Sequence, residues 1–420
     1  MSQEVKLINV KGIDVPIIFE EDKNLPIVSM QLVFLNSGSV EDNGTAGLAV
    51  FASKMLSEGS SDMSSADFAK ALEERAIDFN VNCGSETLVF MLSSLKEEFE
   101  FGVNMVEKVL RKPNISKNSF DKIYTQTMGV ISDEESDFDY VANTRLRYLM
   151  YENSSFKFPS LGTKESVKKI DIKKVDNFIK THLDIANLIV VIGGDIDELK
   201  VKNLLERLLS SLEVGKKREL PFFSVSTSQK SETQVKQSEQ AYIYFGAPFY
   251  LKTNDKDIFK AKVASFILGE SGFGSRLMEE IRVKRGLAYS AYSRFSTERL
   301  SSSFAGYLQT KNESKDEAIK IVKEIISNFS KNGVTQKELE QAKKFLLGSE
   351  PLRIETLSQR LSRSFHEYYR GLGLGYFKNE LKEIEKLNLE ELNEFIFAHP
   401  EINELIFSIV TNDNSKNPKR

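Results

Sequence analysis

NFIKTHLDIANLIVVI, residues 177–192, returns 217 positions later as EFIFAHPEINELIFSI, residues 394–409, without a gap. Seven of the sixteen positions are identical: Phe178/Phe395, Ile179/Ile396, His182/His399, Ile185/Ile402, Leu188/Leu405, Ile189/Ile406 and Ile192/Ile409. Each copy reads as the end of a helix, a short loop and a buried strand rich in branched residues. The pattern extends upstream. EFGVNMVEKVLRKPNISKNSFDKIYTQ and DEAIKIVKEIISNFSKNGVTQKELEQAKK both predict an amphipathic helix, a turn, an N-capping hydroxyl (Ser116, Thr335) and a second helix. Both halves also open with an apolar strand, VSMQLVF and QAYIYFGAPF. The chain therefore predicts a duplicated α+β unit: two tandem α/β-sandwich halves, each a mainly antiparallel sheet flanked by helices. Residues 1–215 form the first half and 240–420 the second, with the polar stretch 216–239 as a linker.

The repeat also bears on the three histidines. His182 and His399 occupy matching corners of the two copies, which points to a local structural task such as bonding a loop carbonyl. His366, in SRSFHEYYRGLG, sits among aromatic residues and reads as core or helix-end packing.

Bulk properties exclude several classes. The 420 residues carry 57 basic and 61 acidic side chains, a net charge of −4 with both signs interspersed. That is no footprint for nucleic acid or an anionic membrane. One cysteine, Cys83, rules out an internal disulfide framework and a cysteine zinc cluster, and reads as a small apolar strand filler. Charges interrupt every apolar run, so neither a signal peptide nor a membrane span is expected. The cytoplasm is the expected compartment, with the periplasm as the alternative for a chain whose leader has been removed.

FLNSGSVEDNGTAGLAVFASKMLSEGS, residues 34–60, resembles the zinc-site region of the pitrilysin/insulinase superfamily of metallopeptidases, which includes the mitochondrial processing peptidases. The likeness continues through IDFNVNCGSETLVFMLSSLKEEFEFGVNMV, NLIVVIGGDID, GFGSRLMEEIRVKRGLAYSAYS and NGVTQKELEQAKKFLLGS, in the family's order and spacing. In that family a helix carries H-x-x-E-H: two histidines at i and i+4 bind zinc, and the glutamate is the general base for the bound water. Aligned here, the histidine positions are Val50 and Lys54 and the glutamate position is Ser53. Valine has no donor, a lysine ammonium competes with the ion, and a serine without a partner is a poor base. The family's acidic third ligand falls around Ser132 to Glu134. The resemblance thus implies no zinc on this chain.

The second half keeps the family's other contribution. Arg282 precedes Tyr289 by seven residues in IRVKRGLAY, the spacing of the Arg/Tyr pair in active members. A helix ending near Lys284 or Arg285, with Gly286 as its breaker, puts Arg282 in the last turn and Tyr289 on the next strand. Both are donors suited to the oxyanion of a tetrahedral intermediate. The resemblance further assigns substrate contact to the glycine-rich loop LGESGFGSRL, through Gly269, Gly272 and Gly274. It also assigns strand-like pairing with a peptide to the edge around Phe79, Val81 and Cys83.

Together these imply the non-catalytic subunit of a heterodimeric zinc peptidase, each subunit forming half of a chamber. A homologous zinc-bearing subunit would be the partner, unfolded peptides the substrates, and a homodimer the alternative assembly. The rival readings are a non-enzymatic peptide-binding or scaffold subunit, and a lone peptidase with an altered site.

Overall fold

The computed structural model describes residues 5–42, 44–228 and 230–412. Two sheets organise the chain. The first contains β1 (Val5–Val10), β2 (Ile13–Glu21), β3 (Ile27–Leu35), β4 (Asp78–Cys83), β5 (Thr87–Leu95) and β6 (Leu188–Gly194), in the order β1-β2-β6-β3-β5-β4. The second contains β7 (Glu232–Val235), β8 (Gln240–Pro248), β9 (Ala288–Thr297), β10 (Ser302–Lys311) and β11 (Ile406–Thr411), in the order β7-β11-β8-β10-β9. Only β2–β6 and β7–β11 pair in parallel, and the other neighbours are antiparallel. The orders superimpose: β6-β3-β5-β4 answers β11-β8-β10-β9, and β2 answers β7. The fold class and duplication read from the sequence are those of the structure.

The repeat that fixes the duplication places its strands inside each sheet, with a neighbour on both sides. Alternate residues of β6 face opposite ways, as a strand requires. Val190 and Ile192 enter the main core of the first half, whereas Ile189 and Val191 enter a separate apolar layer. That second layer is supplied from the other half. Leu357, Leu361, Phe365 and Tyr369 of the helix Leu357–Tyr369 cover Ile18, Val33, Ile189 and Val191. The exchange is reciprocal. Leu146, Leu149 and Met150 of the helix Phe138–Met150, in the first half, pack with Ile406 of β11 and Tyr244 of β8. Ile189 and Ile406 are equivalent residues of the repeat, and each is buried by a helix belonging to the opposite half.

Polar contacts follow the same crossing. Arg360 pairs with Glu20 and Asp22, both at 2.6 Å. The Tyr244 hydroxyl donates to Asp139 at 2.9 Å. Glu86 accepts from Arg299 at 3.1 Å and from the Tyr369 hydroxyl.

The stretch read as a linker is built into this joint. Phe223 and Val225 are buried in the layer around Met150, and Glu232–Val235 becomes β7. Arg218 donates to the carbonyls of Asn36, Thr181 and His182 and pairs with Asp184. The polar composition of 216–239 hid these anchors.

His182 and His399 do local structural work. The His182 ring stacks on Phe178 at 4.0 Å, with Nδ1 2.9 Å from the Phe178 carbonyl oxygen. His399 lies 4.6 Å from Phe395 and bonds Glu401 through Nδ1 at 2.8 Å. The partners are thus a helix carbonyl and a carboxylate, where a loop carbonyl was expected.

Candidate functional site

The helix Leu48–Ser57 is entered through a rigid turn. Gly47 adopts φ +96°, and a Cβ there would lie 2.5 Å from the Leu161 carbonyl oxygen, so only glycine fits. Asp42 caps the helix by accepting from the Gly47 and Ala49 amides, both at 2.7 Å. Burial pushes the Asp42 carboxyl up to about 7, against the downward pull of those two amides. Leu48, Ala49, Phe51, Ala52, Met55 and Leu56 bury one face of this helix. Val50 and Lys54, four residues apart, are half-buried on the other side.

The chemistry on that side is not that of a metal site. Val50 offers methyl groups. The Ser53 hydroxyl donates to the Val50 carbonyl at 2.8 Å and is buried. The Lys54 ammonium reaches Thr127 at 3.3 Å on the helix Lys117–Glu134. Burial lowers the Lys54 pKa, and the nearby Glu134 charge partly raises it again. Glu134 is thus the acidic residue that faces this helix. It also engages Tyr140, whose phenol is pushed up to about 12 by burial and by the Glu134 bond. Among the described residues no three His, Cys, Asp or Glu side chains converge as a metal would need. These positions do not fit zinc.

The Arg/Tyr segment is assembled at one edge of the second sheet. A π-helical turn, Glu279–Val283, carries Arg282. Gly286, at φ +63°, ends it by donating its amide to the Arg282 carbonyl at 3.0 Å. Tyr289 follows as the second residue of β9, the outermost strand. The Arg282 guanidinium lies over the Tyr289 ring at 4.4 Å and over the Phe273 ring at 4.7 Å. Phe273 belongs to the glycine-rich loop, so the structure joins two segments that the sequence left separate. The three large apolar side chains here are open to water: Tyr289 is 79% exposed, Phe273 67% and Val283 54%.

The loop glycines differ in role. Gly272 (φ +65°) and Gly274 (φ +93°) turn the chain at the surface with open space beside them. Gly269 is buried at the end of a π-helical turn, and a Cβ there would lie 2.5 Å from the Ser293 amide nitrogen. It is a packing glycine, whereas Gly272 and Gly274 lie at the surface.

β4 is the outermost strand of the first sheet, and strand alternation turns the backbones of Phe79, Val81 and Cys83 to its open side. The Val81 amide already donates to Ser57 Oγ at 3.0 Å, so the last residue of the Leu48–Ser57 helix occupies that edge at its middle. Cys83 packs against the core, and burial pushes its thiol up to about 12.

Comparison with known proteins shows which family this chain belongs to. Residues 17–163 match the model of the insulinase family, peptidase family M16, and residues 169–346 match that of the peptidase M16 inactive domain. A Helicobacter pylori protein, called non-peptidase homologue YmxG, is 41% identical over 95% of this chain and 92% of its own length. The chain belongs to the M16 peptidase family. A Bacillus subtilis relative, called an uncharacterised zinc protease, is 24% identical to the M16 chain over 86% of its length and 88% of the relative's. The crystal structure of a peptidase M16 inactive domain from Pseudomonas fluorescens has the same fold, with a TM-score of 0.89 at 22% identity over 99% of this chain and all of that one. A protease structure from Helicobacter pylori matches with a TM-score of 0.83 at 15% identity, covering 98% of this M16 chain and all of the other.

The sequence reading missed Phe273. Its signal was an aromatic residue set between two glycines, FG within SGFGS, where a turn needs no large side chain.

Proposed function

We propose that this chain is the non-catalytic subunit of a heterodimeric M16 peptidase, completing the site of a partner that carries H-x-x-E-H and the zinc. The observation that carries the reading is Arg282: no hydrogen bond or ion pair engages its side chain among the described residues, and it stands beside a solvent-exposed Tyr289. Arginines close by are committed, Arg276 to Glu338 and Arg285 to Glu280. A guanidinium held with its donors unspent, at an open edge rimmed by exposed rings, suits the negative charge that develops on a peptide carbonyl during hydrolysis. The partner's zinc would supply the activated water. This chain's residues would bind and orient the peptide and steady the oxyanion. The relative called a non-peptidase homologue supports the absence of activity from this chain alone.

The test combines the chain with a zinc-bearing M16 partner and follows cleavage of unstructured peptides. Arg282→Ala and Tyr289→Phe should each lower kcat/KM by about 100- to 1000-fold, as loss of one oxyanion donor does. Full activity in both variants would contradict the role. The same relative's name also fits a second reading, a peptide-binding or scaffold subunit, which predicts that no partner gains activity on mixing.

A further inference from the structure

We infer that Phe273 is a positioning residue for Arg282, aiming its guanidinium without consuming any of its hydrogen-bond donors. The inference rests on the proposed role of Arg282 and adds to it the residue that sets its direction. A free arginine side chain has wide rotamer freedom, and an ion pair would restrict it only by occupying its N–H groups. Arg276 shows that alternative, with both arms held by Glu338 at 2.6 and 2.8 Å. Stacking on aromatic rings uses the flat faces of the guanidinium and leaves the N–H edge available. Arg282 has two such rings, Tyr289 at 4.4 Å and Phe273 at 4.7 Å.

Among the described residues, the ring contact of Phe273 is with Arg282. Phe273 is 67% exposed and belongs to neither of the large cores. It stands between Gly272 and Gly274, both at positive φ with open space where a Cβ would be, in the turn that leads to the Ser275 cap. A peptide touching the loop would therefore reach Arg282 through Phe273.

Phe273→Ala and Phe273→Tyr test this, in the isolated chain and in the complex with a zinc-bearing partner. In the isolated chain the Nε–H resonance of Arg282, assigned with Arg282→Lys, should show a ring-current shift. That shift should shrink in Phe273→Ala and persist in Phe273→Tyr. In the complex, Phe273→Ala should lower kcat by about two- to fivefold with KM little changed, as loss of one exposed cation–π contact implies, and Phe273→Tyr should restore it. An unmoved resonance in Phe273→Ala would overturn the inference. So would a rise in KM alone, which would make Phe273 a peptide contact, or a failure of tyrosine to rescue. If Arg282→Ala itself leaves the complex fully active, the proposed function fails, while the resonance still reports on Phe273.

Discussion

At position 54, where the family resemblance implies a neutral histidine ligand, a lysine adds a positive charge that would repel a cation. The Lys54 ammonium lies on the same side of its helix as Val50 and within the field of Glu134, so it brings its own positive charge to the carboxylate that would face an ion. The triple variant Val50→His, Ser53→Glu and Lys54→His, read against Glu134, should bind about one zinc per chain by metal analysis, since three protein ligands suffice for a catalytic-type site. A metal-free triple variant would mean that the backbone here has also departed from ligand geometry. A second residue-scale prediction concerns Glu338. Burial pushes its carboxyl up, but Arg276 and the Thr335 cap outweigh this and hold it at about 2. A carboxylate lowered on folding stabilises the protein above its unfolded value near 4.5 and loses that contribution as pH falls toward 2. The stability difference between wild type and Glu338→Gln, by urea unfolding, should approach about 3 kcal/mol near neutral pH and vanish near pH 2. That positions 50, 53 and 54 share one helix was legible because the apolar spacing of GLAVFASKML marks a helix. Phe273 was not, because its meaning lies in a contact nine residues away in sequence and across a turn.

Among elements, the exchanged helices decide how the two halves share stability. Leu361 is buried against the first sheet although it lies in the second half. Leu361→Ala should cost about 2–5 kcal/mol, as truncation of a buried leucine does. The loss should appear as reduced hydrogen-exchange protection in β2 and β6, more than 160 residues away in sequence. Protection lost only within residues 357–369 would show that the helix is a passive cover. The duplication was legible because Phe178/Phe395, Ile189/Ile406 and their neighbours keep both identity and register. The exchange was not: an amphipathic helix announces that it has an apolar face, and nothing in its period says which sheet will receive it. The same limit applies to 216–239, a largely polar run in which nothing marks Phe223 and Val225 as the buried ones or names the backbone carbonyls and the Asp184 carboxylate that Arg218 engages.

On the scale of the molecule, the exchange joins the two sheets through shared apolar layers and crossing ion pairs, so the altered helix and the Arg/Tyr edge belong to one body. Among the described residues no helix is long and apolar enough to cross a membrane. Among the described residues this body holds no cluster of metal ligands, and Arg282 has no ion-pair partner, the two features on which the proposed pairing with a zinc-bearing chain rests. The most direct measurement is the zinc content of the chain purified alone and of the chain purified with an M16 partner bearing H-x-x-E-H. The account predicts a negligible amount in the first sample and about one zinc per pair of chains in the second. One tightly bound zinc in the chain alone would contradict it.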